Sequence, residues 1–96
     1  MPAYVVAQVK ISNPDAMGSY ASQVTAVTES YGGRYLWAGP GVENLEGDWH
    51  PDGLAIIEFP SHADARRWYE SAEYGPLIPL RQQAGPTSLI ITPDTN

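Results

Sequence analysis

A chain of 96 residues is long enough for one domain and too short for two, so we expect a single domain over residues 1–96. Its net charge of −6, from eleven acidic and five basic side chains, disfavours nucleic acid and anionic membrane surfaces as partners, because phosphate contacts need clustered Lys and Arg. The absence of Cys excludes disulfides, thiolate metal sites and cysteine nucleophiles.

The beginning of the chain enters a strand pattern directly, without the basic and apolar segments of a secretion signal. No apolar run approaches the ~20 residues that span a bilayer. We therefore expect a cytoplasmic protein.

The first two predicted elements are a strand and a long helix. Residues 3–11 are rich in β-branched and aromatic types, with apolar residues in both alternating sets, which predicts a strand covered on both faces. The run Asn13-Pro14-Asp15 is typical of a helix start, and Gly32 of a left-handed helix end. One apolar stripe runs between them: Met17, Tyr20, Val24, Val27 and Tyr31.

The middle of the chain predicts two further strands. Residues 34–38 form the first, with Tyr35 and Trp37 on one face and Arg34 and Leu36 on the other. Residues 42–49 are a candidate for a short edge strand or hairpin arm. Residues 54–59 form the third strand, which ends at a proline.

The last third of the chain predicts a second helix and a final strand. Residues 61–64 have the form of a capping box, and Ala65, Trp68, Tyr69 and Ala72 then form a buried stripe. We expect a short helical segment at 77–83, a strand at 88–92 and a frayed tail at 93–96.

This order predicts an α+β fold of the ferredoxin-like βαββαβ type, a four-stranded antiparallel sheet with both helices on one face. The opposite face would then be bare, although several residues that must point there are apolar or aromatic. Two such faces can cover each other in a twofold dimer, so we expect a homodimer of the dimeric α+β barrel type.

Two groups of motifs go beyond periodicity. The first is YGGRYL at 31–36 with LEGDW at 45–49, and the second comprises IEFPS at 57–61, RWY at 67–69, SAEY at 71–74 and PLR at 79–81. In this order and spacing the chain resembles the domain-of-unknown-function family 1330 of the dimeric α+β barrel superfamily, over about residues 4–92. The resemblance implies a ferredoxin-like monomer that dimerises through its sheet.

The resemblance does not select a reaction, because the superfamily includes cofactor-free quinone-forming monooxygenases, haem-binding enzymes, lactone isomerases and polyketide-tailoring enzymes. The chain also departs from the family where Trp37-Ala38-Gly39-Pro40 replaces a basic residue followed by two glycines. That change removes a positive charge near the expected pocket mouth.

Three charged residues are candidates for chemistry. Arg34 and Glu58 lie among apolar neighbours inside predicted strands, where a lone charge is costly. One interpretation is a pocket in which Arg34 or Arg81 binds a carboxylate or enolate and Glu58 acts as a base. The other is a structural ion pair that fixes strand register or the dimer.

Aromatic residues on the predicted helix faces either line a cavity, with a Tyr hydroxyl that orients a substrate, or form ordinary core. From both sets we take Glu58, Arg34 and Tyr20 as candidate catalytic residues. The candidate substrate-binding residues are Arg81, Tyr74, Trp68 and Tyr69.

We expect neither a metal site nor a cofactor. Glu46, Asp48 and Asp52 match no calcium loop and are typical of a solvated acidic hairpin, and His50 and His62 share no ligand spacing. Two functions stay open. One is a cofactor-free enzyme that acts on a small aromatic or polyketide-like molecule by proton transfer, isomerisation or oxygenation. The other is a non-catalytic small-molecule-binding or structural dimer.

Overall fold

The computed structural model describes residues 1–95 and contains four strands and three helices within them. In chain order they are β1 (Ala3–Val9), α1 (Pro14–Ser30), β2 (Arg34–Pro40), β3 (Gly53–Phe59), α2 (His62–Tyr69), α3 (Leu77–Ala84) and β4 (Thr87–Ile91).

The strands form one antiparallel sheet in the order β2-β3-β1-β4. Its two middle strands bury Val5, Ile57 and Phe59 against Val24 of α1 and Trp68 of α2. This arrangement confirms the predicted ferredoxin-like βαββαβ fold.

The predicted helix starts are confirmed by their capping hydrogen bonds. The Ala16 amide donates to Asn13 Oδ1 at 3.2 Å, and the Asp64 amide donates to Ser61 Oγ at 3.0 Å. Each bond satisfies one of the amide donors that the first turn of a helix leaves free. Gly32, with φ of 86°, ends α1 as predicted.

The prediction for residues 42–49 was wrong, because residues 41–52 form a loop without a strand. Two glycines with positive φ, Gly41 at 86° and Gly47 at 82°, turn the backbone away from an extended path. The loop folds back toward the sheet, where the Trp49 indole donates to Gln8 Oε1 at 3.1 Å.

The predicted faces of β2 were also wrong. Tyr35 pairs with Ile57 and Trp37 pairs with Ile56, so Leu36 is the extra residue of a β-bulge. A bulge shifts the alternation of side chains by one residue. Tyr35 therefore lies on the helix side of the sheet and Trp37 on the opposite side.

Smaller differences concern the ends of elements. Strand β1 ends at Val9; beyond it the Lys10 amide donates to the Pro86 carbonyl and the Ser12 amide to the Ala84 carbonyl at the end of α3. Helix α2 stops at Tyr69, which leaves Ala72 exposed rather than in the buried stripe. The tail is held at Thr95, whose amide donates to the Pro2 carbonyl at 2.8 Å, and Asn96 lies outside the described residues.

The side of the sheet that faces away from the helices, called the open face below, carries an apolar row across all four strands. The row is Trp37, Ile56, Val6 and Ile90. Ile90 is 60% exposed and Trp37 is 44% exposed.

Candidate functional site

A cavity of about 550 Å³ lies between the sheet and helices α1 and α3. Its volume falls within the range of small-molecule pockets, roughly 300–1,000 Å³. Most of the lining is apolar and comes from the strands and α1: Ala7, Val9, Met17, Val24, Ile57 and Leu89.

The floor of the cavity is a row of three alanines. Ala7 of β1 pairs with Ala55 of β3, which pairs with Ala38 of β2, and all three line the cavity. On α1, the lining residue Ala21 is equally short. The space stays open because these side chains end at Cβ.

Arg81 is the cationic residue of the lining, and α3 holds it 9% exposed. Its Nη1 donates to the Tyr74 hydroxyl at 3.0 Å, while its buried Nε has no hydrogen-bond partner. Within residues 1–95, no carboxylate forms a salt bridge with it. A buried guanidinium is normally paired with an acid, so this one has donors available for a ligand.

Tyr20 of α1 lines the cavity and is connected to Arg81 through Tyr74. The two tyrosine oxygens are 2.9 Å apart, and their rings meet edge to face at 6.4 Å. Burial, followed by the neighbouring Tyr74, raises the pKa of Tyr20 well above its usual range. The Tyr20 hydroxyl therefore keeps its proton and is a donor rather than a base.

Trp68, predicted as a substrate-binding residue, lines the cavity, but Tyr69 and Tyr74 pack behind it. The Trp68 ring lies 4.3 Å from the Tyr74 ring and 6.4 Å from the Tyr69 ring. The Trp68 Nε1 is buried and has no hydrogen-bond partner. Tyr74 is not part of the cavity lining, but its hydroxyl contacts both Tyr20 and Arg81.

The structure places Arg34 and Glu58 elsewhere, on the open face. Arg34 Nη2 donates to Glu58 Oε1 at 2.7 Å, and the Tyr4 hydroxyl donates to Glu58 Oε2 at 3.4 Å. The sheet separates this pair from Tyr20 and Arg81. The sequence-predicted residues thus fall into two groups on opposite sides of the sheet.

Two lining residues with ionisable side chains were not among the sequence-predicted candidates. Tyr35 lines the cavity, its hydroxyl lies 3.4 Å from Thr28 Oγ1, and burial raises its pKa. Asp52 also lines the cavity and accepts a hydrogen bond from the Ile11 amide at 2.9 Å. The bulge in β2 has no signal in the sequence pattern, so Tyr35 was not predicted as a lining residue. Asp52 was predicted only as part of the acidic loop.

Among residues 1–95, no group of three or more His, Asp or Glu side chains is placed to hold a metal ion. No helix in that part of the chain combines the length and the hydropathy needed to cross a membrane.

The sheet order and the cavity under its helices define a ferredoxin-like α+β protein with room for a small molecule. The chain belongs to the family described as domain of unknown function DUF1330, whose model matches residues 2–95. No curated protein matches it.

Several solved structures share the fold. RPA0582 from Rhodopseudomonas palustris, a protein of unknown function, is 26% identical, with 99% of this chain and 83% of that chain covered and a TM-score of 0.74. SnoaB from Streptomyces nogalater, described as a cofactor-independent oxygenase, is 12% identical, with 99% and 94% covered and a TM-score of 0.70. A dimeric ferredoxin-like protein of unknown function from Bacteroides fragilis is 11% identical, with 97% and 96% covered and a TM-score of 0.69.

Proposed function

We propose that this protein is a cofactor-free enzyme that binds a small, largely apolar aromatic or polyketide-like molecule in the cavity and transfers a proton to or from it. The observation that carries this proposal is Arg81, a buried guanidinium with an unpaired Nε beside an apolar cavity. A buried cation without an acidic partner is costly for folding, and it is useful where a ligand supplies the negative charge.

Each polar residue of the cavity has a role in this proposal. Arg81 holds an enolate or carboxylate oxygen by charge-assisted hydrogen bonds. Tyr20 donates a hydrogen bond to a carbonyl oxygen of the ligand, since its raised pKa keeps it protonated. Tyr74 accepts from Arg81 and can donate to Tyr20, and in that direction the Tyr20 proton is free for the ligand.

A non-catalytic binding protein is the second candidate, and one observation favours it. Among the described residues, Asp52 is the single acidic side chain of the cavity lining, and its carboxylate already accepts the Ile11 amide. Proton abstraction from carbon needs a base, so turnover requires Asp52 or a bound water in that role.

A proton-exchange assay separates the two candidates. In D2O, the enzyme is expected to accelerate exchange of the α-protons of 2-tetralone, a two-ring ketone, as followed by proton NMR. Tyr20→Phe should lower that rate about 100-fold while the Kd changes little, because proton donation contributes roughly 10²–10⁴-fold in rate.

The matched control is Tyr31→Phe, which removes a hydroxyl that bonds to Glu73 outside the cavity lining. It should leave the exchange rate unchanged. Binding of 2-tetralone without accelerated exchange would support the non-catalytic candidate, and no binding of 2-tetralone would refute the proton-transfer candidate.

We further propose that the protein assembles with a second copy of itself through the open face. The apolar row on that face is exposed, and a solved protein of the same fold is described as dimeric. The Arg34–Glu58 pair lies on the same face and would contribute to the register of the two sheets.

Mass measurement in solution tests the assembly. The protein should have twice its chain mass at micromolar concentration, and Ile90→Glu should shift it to the monomer because a charge would be buried in the interface. Ala63→Glu, an exposed position on α2, is the control and should remain a dimer. A monomeric mass for the unaltered protein would refute this part of the proposal.

A further inference from the structure

The alanine row on the cavity floor has a definite shape. Neighbouring strands lie about 4.8 Å apart, so the methyl groups of Ala38, Ala55 and Ala7 cover about 10 Å along one line. No longer side chain interrupts this line until Leu89 of β4, which pairs with Ala7. The floor is therefore flat over roughly the width of two fused aromatic rings.

The opposite wall leaves the floor accessible. On α1, the cavity is lined by the short side chains of Ala21 and Thr25 and by the larger ones of Met17, Tyr20 and Val24. Short side chains on both the sheet and the helix leave a space that a single Leu on the floor would occupy. The size of the floor residues thus determines which molecules fit.

The polar side of the cavity complements a negative charge. Arg81 and Trp68 line the cavity, while the enclosed atoms Arg81 Nε and Trp68 Nε1 have no hydrogen-bond partner. Arg81 has no salt-bridge partner within residues 1–95, so a ligand with an anionic oxygen can supply the partner that this guanidinium lacks. A negatively charged oxygen gains more than a neutral one because Arg81 is cationic.

We infer that the alanine row Ala38–Ala55–Ala7 determines the ligand specificity of the cavity, selecting molecules with a flat two-ring face and one anionic oxygen group for Arg81. This inference rests on the proposed function of the cavity as a small-molecule site. Beyond that function, the alanine row selects ligands by shape, and Arg81 selects those with a negative charge.

Three probes of similar size test the inference by calorimetry on the full-length protein. They are 2-naphthoate, which is flat and anionic, 2-naphthamide, which is flat and neutral, and 1-adamantanecarboxylate, which is anionic and globular. We expect 2-naphthoate to bind about tenfold or more tightly than either of the others.

The variant Ala55→Leu should weaken 2-naphthoate binding about tenfold or more while its Tm is unchanged or higher, because the larger side chain enters empty space. The control Ala26→Leu makes the same change on α1 at an exposed position outside the lining, and it should leave binding unchanged. If Ala55→Leu fails to fold, Ala38→Leu on the edge strand β2 makes the equivalent test.

The outcomes separate this inference from the proposed function. Equal binding of all three probes, or unchanged binding in a folded Ala55→Leu protein, would overturn the inference and leave a small-molecule site in place. A protein that binds none of the probes and no 2-tetralone would overturn both.

Discussion

Replacing Arg81 by Met should weaken ligand binding without lowering the stability of the fold. Met reproduces the apolar stem of Arg about as far as Nε and has no charge, so it keeps the packing of that stem on α3 without a desolvation cost. If the role of Arg81 is structural, the Arg81→Met variant should be less stable than the unaltered protein. If Arg81 binds the ligand, the variant should keep its stability and lose affinity for the ligand.

The expected magnitudes follow from its surroundings. The Arg81→Met variant lacks the hydrogen bond from Arg81 to Tyr74, which is worth about 1.5–3 kcal/mol because one partner is charged. Tyr74 keeps its hydrogen bond with Tyr20. The cost of burying an unpaired ion, several kcal/mol, disappears at the same time. We therefore expect the free energy of unfolding to be unchanged or to rise by up to about 2 kcal/mol. Affinity for 2-naphthoate should fall about 30- to 150-fold, the equivalent of roughly 2–3 kcal/mol.

Urea unfolding measures the free energy of unfolding, and calorimetry measures the affinity for 2-naphthoate. The control is Arg66→Met, an exposed arginine whose guanidinium pairs with Glu70 at 3.1 Å. It should change stability by less than about 1 kcal/mol and leave affinity unchanged. A loss of more than about 3 kcal/mol in Arg81→Met, with affinity intact, would show that Arg81 is structural and refute the reasoning.

Three further predictions concern other parts of the molecule. Burial raises the pKa values of Tyr20 and Tyr35 above 10.0, so the stability that their protonated forms contribute is complete below pH 10 and is lost as the pH rises further. The free energy of unfolding should fall above pH 10 by up to about 1.4 kcal/mol per pH unit and per group, less steeply in Tyr20→Phe, and a flat profile in urea titrations would contradict this. Glu58→Gln should cost less than about 1 kcal/mol and leave 2-naphthoate affinity unchanged in calorimetry, whereas lost binding would connect Glu58 to the cavity. Gly85→Ala should lower stability by about 2–4 kcal/mol in urea unfolding, because φ of 148° is strained for alanine and its Cβ would clash with the Lys10 carbonyl, and an unchanged midpoint would refute this account.

Local rules account for the parts of the fold that were predicted. Asn13 and Ser61 cap the helices they precede, since a cap needs only a side-chain oxygen next to three amides. The strand order follows from the alternation of elements and the handedness of crossovers. The β2 bulge at Leu36 has no such local signal, and it moved Trp37 to the opposite face from Tyr35.

The sequence predicted which residue types form the candidate site, but not which of those residues lie together in the structure. Tyr20 and Tyr74 are 54 positions apart, and their hydrogen bond depends on how α1 packs beside the turn before α3. Arg34 and Glu58 have apolar neighbours in the sequence, whereas Arg81 is followed by two glutamines, so the sequence does not favour Arg81 as the buried charge. The register of the sheet sends that pair to the open face, and the same register brings Ala7, Ala38 and Ala55 into one row.

The positions of the three tryptophans make the protein its own fluorescent reporter. Trp68 is fully buried at the cavity, whereas Trp37 and Trp49 are 44% and 55% exposed on or above the open face. A water-soluble quencher therefore reaches Trp37 and Trp49 before Trp68. Emission that resists quenching comes from Trp68 and reports on the cavity. Emission from Trp37 and Trp49 that becomes protected at high protein concentration reports on the open face. Tryptophan fluorescence can therefore follow the two sides of the sheet separately.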